Sequence, residues 1–258
     1  MHVDEHLARI GYTGSREPTA ETLRQLHRAH LYAVPFENLD IPLGQPIVLS
    51  LPLLYEKIVR QGRGGFCYEL NGLFGWLLRT LGFEVEMLAA RVFDGKRLGP
   101  AFDHMLLRVD LGQPWIADVG FGDSFVEPLP LNGDEHAQFG SVYRFEEDGA
   151  ERILSRRRPE AAWERQYVFS LKPYALDAFS PTCHYQQTSP DSSFTQKSVC
   201  SRATPEGRIT VANGRLIVTT GEGRQETGIA DEAAYREVLR RHFGIMLDAE
   251  ASVAALLP

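Results

Sequence analysis

The chain of 258 residues is long enough for one large domain or for two to three small ones. Hydrophobic residues make up 43% of it and charged residues 24%, as in ordinary globular proteins, and no apolar run reaches the roughly 18 residues of a membrane span. The formal net charge of −7 argues against a general nucleic-acid-binding protein, and the N-terminal residues lack signal-peptide character, which favours a cytoplasmic protein.

Cysteine usage points to free thiols. The three cysteines are widely spaced and form no CxxC motif, which argues against a disulfide framework or a structural zinc site. We therefore expect a reducing compartment and no bound metal. Cys183 and Cys200 are interpreted as packing residues, which leaves Cys67 as the candidate reactive thiol.

The first 83 residues are predicted to be helical. A short amphipathic helix ends at Gly11, Pro18-Thr19 opens a second helix, and Ser50 is the predicted N-cap of a third. The fourth helix begins at Cys67, directly after a paired-glycine turn, and Gly82 ends it. Its apolar positions recur on one face, at Leu70, Leu73, Phe74, Leu77, Leu78 and Leu81.

The position of Cys67 indicates a catalytic cysteine. The first turn of a helix carries unpaired backbone N–H groups and the positive end of the helix dipole, and both favour an anion. We therefore expect the Cys67 thiol to ionise more easily than a free thiol, and the thiolate is the nucleophilic form.

After residue 83 the pattern changes to that of β-strands. The strands His104–Val109 and Trp115–Val119 flank a short turn and predict a hairpin, and Asp148-Gly149 predicts another. Asn213-Gly214 is the strongest hairpin signal in the last third, where Asp231 is the predicted cap of a final helix. We predict an α+β fold with a helical N-terminal domain, a curled or barrel-like β middle and a small α/β tail.

His104 and Asp118 are the candidate partners of Cys67. Of the eight histidines, His104 is distinctive because it starts a hydrophobic strand, and an aspartate inside an apolar strand is costly unless it is paired. The predicted hairpin brings both residues to the same end of the sheet, where Asp118 would orient the imidazole. Two alternatives remain open: a structural role for His104, and a role for Asp118 in capping the turn that follows it.

That turn, Gly120-Phe121-Gly122, has a possible use of its own. Glycines let backbone N–H groups approach a ligand closely, which suits a pyrophosphate or an oxyanion. Gly-x-Gly turns are common, so this pattern alone is a weak signal.

Several of these segments resemble the signature motifs of the arylamine N-acetyltransferases. The cysteine segment resembles that family's cysteine motif, and the others resemble its N-terminal, histidine, aspartate and looser C-terminal signatures. They occur in family order, as Pro35-Phe36-Glu37-Asn38-Leu39, Arg63-Gly64-Gly65-Phe66-Cys67-Tyr68-Glu69, His104-Met105, Asp118-Val119-Gly120-Phe121-Gly122, and Ser193-Phe194 followed by Lys197, Cys200 and Arg202.

The resemblance implies a fold and a set of site residues. It implies a helical bundle over residues 1–83, a β-barrel-like domain over 84–187 and an α/β lid over 188–258, around a cysteine-proteinase-like Cys-His-Asp core. Its triad corresponds to Cys67, His104 and Asp118. Further positions correspond to an acceptor pocket (Phe36, Val92, Phe121 and Phe194), a coenzyme A contact (Gly120, Phe121 and Gly122) and a buried charged cluster supporting the cysteine loop (Arg9, Glu37 and Arg63). The alternative for the charged residues is a plain surface position, and the alternative for Phe36 and Phe121 is a plain core position.

The activity implied by the resemblance is ping-pong acetyl transfer from acetyl-CoA, through an acetyl-cysteine, to arylamines, hydrazines or N-hydroxyarylamines. Acetyl-CoA is then a substrate, no permanently bound cofactor is required, and neither nucleic acid nor a membrane is a partner. The alternatives are an amide synthase of the same family with a tethered polyketide acyl donor, a papain- or transglutaminase-like thiol hydrolase, and a non-catalytic ligand-binding relative.

Overall fold

A computed structural model describes residues 1–248, Val253 and Leu256. The predicted α+β fold is confirmed, with helices gathered in the N-terminal third and strands in the rest of the chain. In the described part of the chain, no helix is both long and apolar enough to cross a membrane.

The N-terminal helices begin and end close to the predicted residues. Thr19 caps the second helix, since its hydroxyl accepts the N–H of Thr22 at 3.2 Å. Ser50 occupies the N-cap position of the third helix, but its side chain makes no capping hydrogen bond to that helix, where Pro52 lacks one of the N–H groups that a cap binds. The four helices are α1 (Val3–Arg9), α2 (Ala20–Ala33), α3 (Leu51–Tyr55), which continues into a π-helical turn (Glu56–Arg60), and α4 (Cys67–Thr80).

One part of the region predicted as helical is a strand. β1 (Phe36–Glu37) lies beside the loop that precedes α4, and the N–H of Glu37 donates to the carbonyl of Gly65 at 2.9 Å. The approach is close, because a Cβ at Gly64 would collide with the carbonyl of Pro35. The paired glycines therefore allow strand and loop to pack backbone against backbone.

The larger sheet has eight strands in the order β5-β4-β3-β2-β9-β8-β7-β6 and is nearly closed, like a barrel. Both hairpins predicted in this region are confirmed: β3 pairs with β4 through Leu107 and Ala117, and β7 pairs with β8 across Asp148-Gly149. The strands are β2 (Glu84–Val92), β3 (His104–Asp110), β4 (Pro114–Ala117), β5 (Leu129–Pro130), β6 (His136–Gln138), β7 (Ser141–Asp148), β8 (Glu151–Arg157) and β9 (Glu164–Tyr174).

A connecting segment follows the larger sheet. It contains a 3-10 turn (Leu176–Phe179) and two helices, α5 (Ser180–Thr188) and α6 (Ser193–Gln196). The predicted domain boundary after residue 187 falls one residue before the end of α5, and the boundary after residue 83 falls directly before β2. The division into three domains stays a prediction.

The smaller sheet has five strands in the order β1-β10-β11-β12-β13, so the N-terminal strand joins strands from the end of the chain. The predicted turn between β11 and β12 is confirmed, and Asn213 and Gly214 both adopt a positive φ, of 50° and 66°. The remaining elements are β10 (Val199–Thr204), β11 (Gly207–Ala212), β12 (Arg215–Thr220), β13 (Gly223–Gly228) and α7 (Glu232–Phe243). Asp231 caps α7 as predicted, accepting the N–H of Ala234 at 2.8 Å.

The core sits where the helices meet the larger sheet. The apolar face of α4 is buried there, and α4 packs on β2 and β3. Cys183 is buried in this cluster and Cys200 in a separate cluster beneath α7, which agrees with their interpretation as packing residues. The N-terminus of α4 thus lies against the start of β3, which carries His104, and against Asp118. Asp118 was predicted inside a strand over Trp115–Val119, but β4 ends at Ala117 and Asp118 is the first residue of the loop that follows.

Candidate active site

Cys67 stands in the first turn of α4, beside a cavity of about 550 Å³. Glu69 fixes this turn, because its carboxylate accepts the N–H of Phe66 at 3.1 Å. His104 lines the same cavity, and both side chains are almost entirely buried. A ligand in this cavity thus meets Cys67 and His104 together.

His104 and Asp118 form a buried pair. Nε2 of His104 lies 2.8 Å from Oδ2 of Asp118, so Nδ1 is the ring nitrogen left for proton exchange. The other carboxylate oxygen, Oδ1, accepts the Nδ2–H of Asn71 at 2.9 Å and the N–H of Gly120 at 3.0 Å. The carboxylate therefore pairs with the histidine and also caps the glycine turn, which unites the two roles considered from the sequence.

The environment keeps Asp118 charged. Burial alone would raise the pKa of its carboxyl group, but the charge of His104 and the hydrogen bonds from His104, Asn71 and Gly120 outweigh burial and lower it. An ionised Asp118 next to Nε2 favours the tautomer that carries its proton on that nitrogen.

The expected ease of ionisation of Cys67 is wrong for the thiol by itself. Its side chain is only 4% exposed, and burial raises the pKa of the Cys67 thiol well above its usual range, with a smaller opposing effect from a backbone hydrogen bond of Met105. Burial has this effect because a thiolate loses more solvation than a thiol when it is removed from water. Ionisation of Cys67 thus depends on a base that takes its proton at close range.

Two neighbours of the pair were missed from the sequence. Asn71 lies four residues after Cys67, one helical turn along α4, and that spacing could have revealed it. Tyr167 on β9 packs on the imidazole of His104, with ring centroids 5.3 Å apart. Burial, and then the charge of Asp118, raise the pKa of Tyr167 well above its usual range, so it stays a neutral phenol. Strand β9 carries no local sequence signal that connects it with residue 104.

The four residues predicted for the acceptor pocket all line the cavity. The ring of Phe121 packs edge-on against His104 at 5.2 Å between centroids, and Phe194 packs against Phe36 at 6.3 Å. Val92 completes the set at the end of β2. The cavity therefore has an aromatic wall next to the imidazole of His104.

The two glycines of the turn that follows Asp118 take different positions. Gly120 lines the cavity and packs on α4 so closely that a Cβ would lie 2.7 Å from the Cα of Cys67. Gly122 has a φ of +90° and lies against the ring of Phe36, outside the set of described residues that line the cavity. Close approach to Cys67 thus requires a glycine at position 120, and the backbone conformation favours one at 122.

Glu37 and Arg63 form a buried ion pair at the base of the cysteine loop. Nε of Arg63 donates to Glu37 at 3.0 Å, and the same carboxylate accepts the N–H of Gly64 at 3.3 Å. Arg9 lies at the same loop but binds carbonyl oxygens, those of Gly62 and Arg63 among them, at 3.0 and 3.2 Å. The three predicted residues therefore meet at one loop, and the side chain of Arg9 binds the backbone carbonyl oxygens of that loop.

The ion-pair network extends to residues that the sequence reasoning missed. Lys57 bridges Asp40 and Glu69 at 2.7 Å each, and Arg63 reaches Asp40 at 2.6 Å. Burial raises the pKa of Glu69 to about 6, while the charge of Lys57 opposes that shift. The network ties the strand β1, the cysteine loop and the first turn of α4 together.

No group of three or more His, Cys, Asp or Glu side chains within the described residues is arranged to hold a metal ion.

Comparison with known proteins gives one consistent family. Residues 19–252 match a family model described as N-acetyltransferase. The chain is 38% identical over 230 residues to the arylamine N-acetyltransferase, pineal gland isozyme NAT-10, of Gallus gallus, and the match covers 80% of this chain and 79% of the relative.

Similar solved structures belong to the same family. The arylamine N-acetyltransferase from M. tuberculosis is similar with a TM-score of 0.91 and 31% identity, covering 99% of this chain and 98% of that one. The enzyme from Mycobacterium marinum in complex with CoA is similar with a TM-score of 0.87 and 31% identity, covering 95% of this chain and 93% of that one.

Proposed function

The chain belongs to the arylamine N-acetyltransferase family, and we propose that this acyltransferase carries the acetyl group of acetyl-CoA on Cys67 before passing it to an arylamine. The observation that carries the proposal is the buried pair of His104 and Asp118 beside Cys67, at the wall of a cavity large enough for a small substrate. The CoA complex of the related Mycobacterium marinum enzyme supports acetyl-CoA as the donor.

In the first half-reaction, Nδ1 of His104 takes the proton of the Cys67 thiol, and the sulfur attacks the thioester carbonyl carbon. The new C–S bond forms while the carbonyl oxygen becomes an oxyanion. The N–H of Cys67 is suited to receive that oxyanion, since the first N–H groups of a helix have no partner within it. The C–S bond to coenzyme A then breaks, and His104 returns the proton to the leaving thiolate.

In the second half-reaction, the amine enters the aromatic cavity and attacks the acetyl-cysteine. His104 accepts a proton from the attacking nitrogen, the bond between the carbonyl carbon and the Cys67 sulfur breaks, and the amide leaves. His104 then returns the proton to the Cys67 thiolate, which restores the thiol. Phe36, Phe121 and Phe194 are suited to hold a flat aromatic ring against the acetyl group. Hydrazines and N-hydroxyarylamines offer the same nucleophilic nitrogen and are included among the acceptors.

The proposal treats acetyl-CoA as a substrate and requires no bound cofactor. It includes a cytoplasmic location, because a free cysteine nucleophile persists best in a reducing compartment.

Initial-rate kinetics test the order of the two half-reactions. Acetyl-CoA is varied at several fixed concentrations of an arylamine, and the double-reciprocal lines are expected to be parallel. Intersecting lines would contradict a ping-pong route. Release of free acetate at the same rate with and without amine would indicate a thiol hydrolase instead.

A further inference from the structure

Three successive backbone N–H groups in the loop after β4 are each held by a side chain. The N–H of Asp118 donates to Nε2 of His27 at 3.0 Å, and that of Val119 donates to Oδ1 of Asn71 at 2.9 Å. The N–H of Gly120 donates to the carboxylate of Asp118 at 3.0 Å. Two N-terminal helices, α2 and α4, therefore hold the main chain that carries the carboxylate facing His104.

The ring of His27 has a single possible arrangement of protons. It is fully buried on α2, and its Nδ1 lies 2.7 Å from the carbonyl oxygen of Val126. A carbonyl only accepts a hydrogen bond, so Nδ1 carries a proton, and a backbone N–H only donates, so Nε2 carries a lone pair. Burial lowers the pKa of His27 to about 4, which agrees with a neutral ring.

We propose that His27 is a positioning residue for acyl transfer: its neutral, Nδ1-protonated ring fixes the main chain of Asp118 so that the carboxylate faces Nε2 of His104. The inference rests on the proposed function, because it takes Asp118 as the group that orients His104. Val126 and Asp118 lie on both sides of the ring, so the ring links the two ends of the segment that leaves β4. The stacking of Phe125 on the ring, at 5.7 Å between centroids, keeps its plane fixed.

His30 provides a matched control. It lies on the same helix, is also fully buried, and packs on Phe74 as His27 does, at 5.2 and 6.1 Å between ring centroids respectively. Unlike His27, it has no hydrogen-bond partner for either ring nitrogen among the described residues. A phenylalanine at position 30 thus replaces a buried imidazole without breaking a bond to the Asp118 loop.

The experiment measures the single-turnover rate constant of Cys67 acetylation by acetyl-CoA. The expected result for His27→Phe is a loss of at least about tenfold with an unchanged half-saturating concentration of acetyl-CoA, because positioning acts on the chemical step. His30→Phe is expected to stay within about twofold of the parent rate, and thermal unfolding checks that each variant is folded.

A second pair of variants separates the two hydrogen bonds of His27. The side-chain amide of Gln reaches the position of Nε2 and can accept the N–H of Asp118. The shorter side chain of Asn reaches only the position of Nδ1, where it can donate to the carbonyl of Val126. We expect His27→Gln to retain most of the rate and His27→Asn to be at least about tenfold slower than His27→Gln. This pair decides the question if His27→Phe does not fold.

Alkylation of Cys67 by iodoacetamide, followed against pH, gives a readout that needs no acyl donor. His27→Phe is expected to shift the pH profile of alkylation, and His30→Phe is expected to leave it unchanged. If the parent protein is not acetylated but this shift is present, the proposed function fails and the positioning role stands.

The positioning role is overturned if folded His27→Phe shows the parent acetylation rate and the parent alkylation profile. It is also overturned if His30→Phe loses as much rate as His27→Phe, or if the Gln and Asn variants are equally fast.

Discussion

Cys67 is a buried thiol whose reactivity depends on its neighbours. Burial raises the pKa of the thiol, and in the proposed mechanism its proton moves to His104 as the sulfur attacks. The charge of Asp118 stabilises the imidazolium that results, at 2.8 Å from Nε2. The proposed mechanism therefore makes the reactivity of the cysteine depend on three residues together.

Replacement of Asp118 by Asn tests this dependence. The variant keeps the size of the side chain but removes the charge that fixes the imidazole tautomer, and the acetylation rate is expected to fall on the order of 10⁴-fold, by analogy with a hydrolase triad. Asp123→Asn is a control in the same loop, because Asp123 binds Arg156 and Arg208 away from His104. A loss of less than about tenfold in Asp118→Asn would contradict the orienting role.

Gly120 offers a steric test at the same scale. A methyl group there would lie 2.7 Å from both the Cα of Cys67 and the Nδ2 of Asn71, so either the loop or α4 must move. We expect Gly120→Ala to lower the acetylation rate by more than tenfold and to lower the melting temperature, as single-turnover and calorimetric measurements would report. Gly221→Ala is the control, since no atom lies within 4 Å of a Cβ at that position. Parent-like activity in Gly120→Ala would contradict the close packing.

At the scale of elements, α1 and α2 bury three histidines at the boundary with α4. His6, His27 and His30 are fully buried, and burial lowers the pKa of His6 and of His27 to about 4 and that of His30 well below its usual value. None of the nitrogens of His6 and His30 has a partner among the described residues. The helices thus pack around neutral imidazoles.

This packing predicts a loss of stability in weak acid. In the unfolded chain these histidines titrate near 6.5, so the unfolded state binds more protons than the folded state below that pH. The free energy of unfolding is therefore undiminished above about pH 6.5 and decreases as the pH falls towards about 4. The decrease due to His6 is on the order of 3 kcal/mol. Urea unfolding at several pH values measures the loss.

His30→Phe isolates one of these contributions. The variant removes a group that must stay neutral in the fold, so its free energy of unfolding is expected to fall less steeply between pH 6.5 and 4 than that of the parent. An identical slope in the two proteins would contradict the assignment.

The elements that were predicted correctly have local signals. Asn213-Gly214 turns because both residues adopt a positive φ, and Asp231 caps α7 through an N–H three residues away. Thr19 caps α2 in the same way, through the N–H of Thr22, whereas Ser50 makes no capping hydrogen bond to α3, where Pro52 has no N–H to donate. Such signals act within a few residues and can be read from one sequence.

The parts of the site that were not predicted from the sequence depend on contacts between distant segments. His27 meets Asp118 across 91 residues of chain, and Tyr167 reaches His104 from another strand. The two-residue strand β1 exists because Glu37 pairs with β10, far along the sequence. Burial likewise reversed the expected direction of the pKa shift of Cys67, since a helix terminus is visible in a sequence and desolvation is not.

At the scale of the whole molecule, a buried ion-pair network joins the smaller sheet to the helix that carries Cys67. Its members are Glu37, Asp40, Lys57, Arg63 and Glu69. These side chains are nearly buried, so each charge depends on its partners for the solvation it has lost. The loop that leads into Cys67 is therefore held between the first strand and the fourth helix by charge as well as by apolar packing.

Glu37→Gln tests the network. It leaves Arg63 with less compensation and is expected to lower the free energy of unfolding by about 3–5 kcal/mol, as for other broken buried pairs. Glu86→Gln, which weakens the half-exposed pair with Arg108, is expected to cost no more than about 1 kcal/mol. Denaturant unfolding of both variants compares them, and equal losses would contradict a structural role for the buried network.

The central claim is that Cys67 carries the acetyl group, and mass spectrometry tests it most directly. The protein is mixed with acetyl-CoA without an amine, its intact mass is measured, and the modified peptide is mapped. The account predicts one acetyl group on Cys67, none on the buried Cys183 or Cys200, and discharge of that group when an arylamine is added. An unmodified Cys67 in folded protein, or an acetyl group that arylamine does not discharge, would contradict it.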